Sequence, residues 1–248
     1  MERVVSFEPT SDNNDYRLTK NQHFHMKAIL KRFSLNNMLQ VSFKGAETKS
    51  IGVKGSCFLG NRAWSQECET LVSHPIENKF LREVDRIESG ESISDHKAIS
   101  DYHLLWYFRW HYSINQAEDS ELFNNFPCGT LDKNTEELIE SLGKVPVRTG
   151  GKIAGRFTAT LDIKQLLIDN KDVYSGYQWQ ILESNDKKFI SADCYAKSMG
   201  MAISPKYYLM AIKGGEEEHR VINNVEVNDL NRSSIEIAQN FYFGCNES

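Results

Sequence analysis

Lys97–Ile114 reads KAISDYHLLWYFRWHYSI, and between Tyr102 and Tyr112 its apolar and aromatic residues fall on every side of a helical wheel. A helix that is apolar all round is a central, buried one, so this stretch decides the fold, and its neighbours are read as its packing partners. Just ahead of it, SHPIENKFLREVDRIESG (Ser73–Gly90) has Ser73 or His74 before Pro75 as a helix start and Gly90 as its stop. Ile76, Phe80, Val84 and Ile87 make the buried stripe of that helix. Further toward the N-terminus a short helix is expected from about His25 to Phe33, with Met26, Ile29, Leu30 and Phe33 on one face. MLQVSF (Met38–Phe43) and KSIGVKGSCFLG (Lys49–Gly60) then read as strands.

On the C-terminal side, TEELIESLG predicts a short helix and residues 152–169 a longer one. The period then changes: YQWQILES, KKFISAD, GMAIS and YYLMAIK are short β-like runs, and NDLNRSSIEIAQNFYFG is expected to close the chain as a helix ending at Gly244. Helices in the middle and short antiparallel strands near both ends predict an α+β fold. Residues 21–248 are expected to form one domain. Residues 1–20, polar and without periodicity, are expected to be a flexible N-terminal arm with Val4, Val5 and Phe7 as its apolar cluster, and truncation to Tyr16 is expected to leave the melting temperature almost unchanged.

The 248 residues are 40% hydrophobic, with thirteen Phe, ten Tyr and four Trp, which is ample for a core. No apolar run approaches the roughly 18 to 20 residues that cross a bilayer, and MERVVSFEPTSDNND lacks the apolar centre of a signal peptide, so a cytoplasmic protein with no membrane partner is expected. Cys57, Cys68, Cys128, Cys194 and Cys245 are scattered with no Cys-x-x-Cys pair, which fits reduced thiols. A net charge of −5 gives no global attraction to nucleic acid, so such a partner needs a local basic patch.

Two charges point the wrong way for a solvated surface. On the wheel, Glu77 falls between Val84 and Leu81, and Arg109 between Leu105 and Tyr102. A buried Arg is tolerated only when paired, so each is the natural partner of the other, although Glu77 also sits in a first helical turn where a carboxylate suits the helix dipole. His96, His103, Tyr107 and Trp110 share one stripe of the central helix, either as a pocket wall or as a satisfied core stripe. His23 and His25, two apart in an extended segment, would point the same way and offer an acid/base or metal-binding pair. No His-Glu-x-x-His, EF-hand loop or Gly-x-Ser-x-Gly elbow is present.

The glycines of VRTGGKIAGR resemble a phosphate loop only superficially, since Pro146 replaces its first glycine and Ile153 its hydroxyl residue. What remains is Lys144, Arg148, Lys152 and Arg156, a basic run without an acid, which is a candidate nucleic-acid contact or simply a solvated surface.

Taken in order, these motifs resemble a bacterial group, the domain-of-unknown-function 4238 family. NQHFHMKAILKRF is similar to its opening Asn-x-His and aromatic before a helix ending in Leu-x-x-Phe. IENKF is similar to its Ile-Glu helix, Arg109 to the arginine closing the next helix, and WQILESNDKKFISAD to its Trp strand and Ser-Asp strand end. Ser204 and Pro205 match its Ser-Pro, and Asn231 an asparagine before its last helix, while Met26, Ala28, Ala192 and Cys194 depart from its pattern. The preferred reading is a site gathering His23, Glu77, Arg109 and Asp193, far apart in sequence yet each at an element edge or facing inward. A His, two carboxylates and an Arg have the parts for acid/base or metal-assisted phosphodiester cleavage, with a divalent cation such as magnesium as cofactor. The family's bacterial setting then suggests a nuclease-like effector of a defence or mobile-element system. From a different class, the chain is a non-catalytic binding or regulatory protein that meets a protein partner of the same system and whose polar core is architectural.

Overall fold

A computed structural model describes residues 8–123, 129–195, 198–214 and 218–245; Val4, Val5, Phe7 and Cys128 lie outside them. The element order is β1 (Asn21–His23), α1 (Lys27–Arg32), β2 (Met38–Phe43), β3 (Thr48–Gly52), β4 (Leu59–Asn61), a π-helical segment (Cys68–Ser73) running into α2 (His74–Glu88), α3 (His96–Ile114) and β5 (Ser120–Glu121). It continues with α4 (Lys133–Ser141), β6 (Lys152–Ile153), α5 (Gly155–Asp169), β7 (Tyr177–Ser184), β8 (Ser191–Ala192), β9 (Gly200–Ala202), β10 (Tyr207–Lys213), β11 (His219–Ile222), α6 (Asn224–Ile237) and β12 (Phe241–Gly244). The fold is α+β.

The central helix is where the sequence puts it. Asp95 caps α3 by accepting from the Ala98 amide, and Ile99, Tyr102, Leu105 and Trp106 are buried against α2, α5, β4 and β7. Around it stand two four-stranded sheets, β3-β2-β12-β8 and β11-β7-β10-β9, and two short pairs, β1-β4 and β5-β6. Most buried apolar residues from Phe24 to Phe243 fall in one cluster, because β12 inserts between β2 and β8 and so joins the N-terminal strands to the C-terminal ones, while Ile153, Ala154 and Phe157 form a smaller cluster of their own.

Three expectations need correction. FYFG is not the end of the last helix: α6 stops at Ile237, and Phe241 and Phe243 point into the core while Tyr242 points out, the period of a strand. Among the described pairings β11 lies parallel to β7, where only antiparallel strands were expected. The third concerns the arm, because residues 8–20 are tied down. Leu18 is buried, the Ser11 amide and hydroxyl both donate to Glu137 at 2.6 Å, the Thr19 amide donates to Gln66 Oε1 at 2.8 Å, and Glu8 pairs with Lys133, Arg148 and Arg156. Polar residues anchor as firmly as apolar ones when their partner carboxylate is out of solvent. Starting the chain at Tyr16 strips Glu137 of both Ser11 hydrogen bonds and is therefore expected to cost about 3 kcal/mol. By thermal melting that is a fall of about 6 to 12 °C. A fall under about 2 °C would return residues 8–15 to the status of a loose tail.

Candidate functional site

Arg109 is the centre of the inward polar cluster. Its Nη1 donates to Glu77 Oε1 at 2.6 Å, its Nη2 donates to the His23 carbonyl, Glu69 Oε1 stands 4.0 Å away, and the guanidinium lies 5.1 Å over the Trp64 ring. The Glu77–Arg109 pair expected from the two helical wheels is present. Burial works against the guanidinium charge, but Glu77 and Glu69 outweigh it and raise its pKa.

Glu69 and Trp64 carry no periodic signal in the sequence. A continuous α-helix, turning roughly 100° per residue, would leave Glu69 about 80° from Glu77. The wider turn of the π-helical segment removes most of that offset and brings both carboxylates to one guanidinium. Its cause is local: Pro75 has no N–H to give to the carbonyl four residues back, and the His74 amide bonds to the Glu69 carbonyl, five back. Glu69 also accepts from Trp64 Nε1 at 2.7 Å. The one available signal was Pro75 inside a helical run, which reads equally well as a helix start.

His23 is half-buried, and its Nε2 stands 3.2 Å from the Val53 carbonyl. Burial and the Arg109 charge lower its pKa against the opposing pull of the Val53 carbonyl and Glu77. His25 is fully buried, stacked on Trp106 at 3.9 Å with Nδ1 2.8 Å from the Tyr102 hydroxyl, and burial holds its pKa well below the usual value. The two histidines therefore have separate partners. Among the described residues no group of three or more His, Cys, Asp or Glu side chains is placed to hold a metal ion. The His96–His103–Tyr107–Trp110 stripe is core: His96 Nδ1 accepts from the Trp179 amide, His103 Nδ1 stands 2.8 Å from the Tyr174 hydroxyl, and Tyr107 stacks along Trp110.

Asp193 takes no bond from His23, Glu77 or Arg109. It is buried at the turn between α6 and β12, accepting from the Gln239 amide at 2.8 Å, the Asn240 amide at 2.9 Å, Asn240 Nδ2 at 3.1 Å and Trp110 Nε1 at 3.3 Å. Burial raises its pKa and those four donors pull it back. The set expected as one site is thus split, with three members around Arg109 and the fourth bracing β8 against the chain's last turn. Asn231, expected before the last helix, lies inside α6 and spans Ile190 N and the Lys188 carbonyl.

The two arginines of the basic run are neutralised in three dimensions. Arg148 bonds Glu136, Asp119 and both oxygens of Glu8; Arg156, buried, bonds Glu140 at 2.9 Å and Glu8 at 3.0 Å. Burial raises the Glu8 pKa, but Lys133, Arg148 and Arg156 prevail and hold it at about 2. Lys144 and Lys152 are exposed, so of the four only these two lysines resemble a solvated patch. The run holds no acid of its own, and its acids arrive from the arm, from residue 119 and from α4. Two of the three glycines serve packing, since a Cβ on Gly151 would collide with the Phe123 carbonyl and one on Gly155 with the Ala117 carbonyl, while Gly150 stands in open space with φ +79°.

Fold and site together define an α+β protein with one buried ion-pair network around Arg109, another joining Arg62 and Arg156 to Glu137 and Glu140, and Asp193 buried apart from both. No family profile, curated protein or solved structure matches the chain. Among the described residues no helix is long and apolar enough to cross a membrane.

Proposed function

We propose that this protein acts by binding a protein partner, and the observation that carries this is α4, which is inside out. Glu136, Glu137 and Glu140 are buried, Glu137 completely, while Leu138 is 40% and Leu142 66% exposed, with Val145 exposed just beyond. The inward carboxylates are held by Arg62, Arg148, Arg156 and Ser11. An arrangement that keeps three glutamates in and two leucines out leaves an apolar helix face of the kind that marks a contact surface. Leu138→Asp with Leu142→Asp is expected to weaken a purified partner's binding at least about tenfold, with the melting temperature unchanged, because neither side chain packs inward. Unchanged affinity would remove α4 from the interface.

Acid/base or metal-assisted cleavage of nucleic-acid phosphodiesters, in a bacterial defence or mobile-element setting, is the second reading. It is favoured by the approach of half-buried His23 and Glu77 to one arginine, and it leans on the resemblance to the domain-of-unknown-function 4238 family. Incubating the protein with single- and double-stranded oligonucleotides, with and without magnesium or manganese, separates the two. Cleavage lost in Glu77→Gln would establish the enzyme, and no cleavage leaves the binding protein.

A further inference from the structure

The outward face of the sheet β3-β2-β12-β8 is not bare. Asn228, Asn231, Arg232 and Ile235 form one stripe of α6, spaced as helical neighbours are, and overhang that face to enclose a groove of about 1030 Å³. Its floor is a register row, Thr48 beside Ser42 beside Tyr242, with Gln40 and Gly244 in the next row along. Its far wall is the loop from Asp186 to Ile190. A second hollow of about 580 Å³ at the β2–β3 turn shares Tyr242, so the two make one elongated trough across that ring.

We infer that this trough binds an extended acidic peptide segment of a partner protein. It is a second surface, sharing no residue with the exposed leucines of α4, and the two stand or fall separately. Charge supports it: in a protein of net charge −5, the trough is lined by Lys44, Lys187, Lys188 and Arg232 against Asp186 and Glu47, with Asp229 3.6 Å from Arg232 on the exposed side of α6 and Lys44 Nζ donating to the Glu236 carbonyl, so the lining keeps a positive excess. Chemistry supports it as well. The side-chain amide of Gln40 and the Tyr242 hydroxyl make no hydrogen bond within the described structure, and Asn228 keeps its Nδ2 free while its Oδ1 accepts from Lys187 Nζ at 2.8 Å; these are donors and acceptors of the kind a peptide backbone uses. Asn231 and the Ser42–Thr48 pair are already engaged, the latter at 2.6 Å, and keep the floor rigid. A single-stranded nucleic acid fits less well because it needs successive aromatic platforms. Here Phe43 packs its ring on Phe241 and Phe189 is fully buried, leaving Tyr242 alone.

Fluorescence anisotropy with the full chain tests this, using a labelled dodecapeptide of Glu, Asp, Ser and Gly, its lysine-substituted counterpart, and labelled dT12. The acidic peptide is expected to bind, more weakly as salt is raised, and the lysine peptide not to bind. Lys187→Glu with Arg232→Glu is expected to weaken binding at least about tenfold. Lys79→Glu with Lys171→Glu, the same charge change outside the trough, is expected to leave it unchanged. Should the first pair disturb folding by circular dichroism, Lys187→Gln with Arg232→Gln is the substitute, and the expected loss is about threefold or more. No binding of the acidic peptide, equal loss in both charge variants, or tighter binding of dT12 through Lys187 and Arg232 would each overturn the assignment.

Discussion

Arg109→Met is expected to lower stability by about 3 to 5 kcal/mol, the cost of breaking a buried ion pair from one side. Methionine matches the stem in volume, so the loss is electrostatic: Glu77 and Glu69 remain beside an apolar side chain, the His23 carbonyl loses its donor and Trp64 its cation. Urea titration measures it, and the expected shift in melting temperature is about 6 to 20 °C. Arg109→Met with Glu77→Gln should recover part of the loss, since the nearer of the two orphaned charges is then gone while Glu69 remains, and the cycle isolates the Glu77–Arg109 pair. Additive losses would mean that Glu77 and Arg109 act independently.

Asp193→Ala is expected to cost about 3 kcal/mol, since four donors lose one charged acceptor. Burial already raises the carboxyl's pKa, which offsets part of the favourable bonding. Asp193→Asn, which keeps one acceptor oxygen in place, is expected to lose about half as much. The turn from α6 into β12 is the part that should loosen, visible as faster amide exchange at Gln239 and Asn240, whose N–H groups bond to it. Wild-type stability in both variants would show that the turn does not need Asp193 and would reopen a catalytic role for it.

The two sites were unequally legible. Glu77 and Arg109 could be paired from residue spacing alone because both stand on regular helices, where 100° per residue converts sequence position into direction. Glu69 could not, because it lies on a π-helical turn to which that angle does not apply. Asp193 was found as a residue but misplaced as a partner: a short strand end says which way a side chain points, not which distant turn closes over it.

Composition and periodicity alone determined that α3 is central, that α2 packs beside it and that the fold is α+β, since each follows from local spacing of apolar side chains along one element. Only the tertiary structure decided the charges. The acid-free run from Lys144 to Arg156 meets Glu8, Asp119, Glu136 and Glu140, and the helix whose leucines would ordinarily face the core turns its glutamates inward to reach Arg62 and Arg156. Apolar burial is set by the solvent, which every residue meets locally. An ion pair depends on which two distant side chains are brought within a few ångströms, and that is known only once the chain has closed on itself.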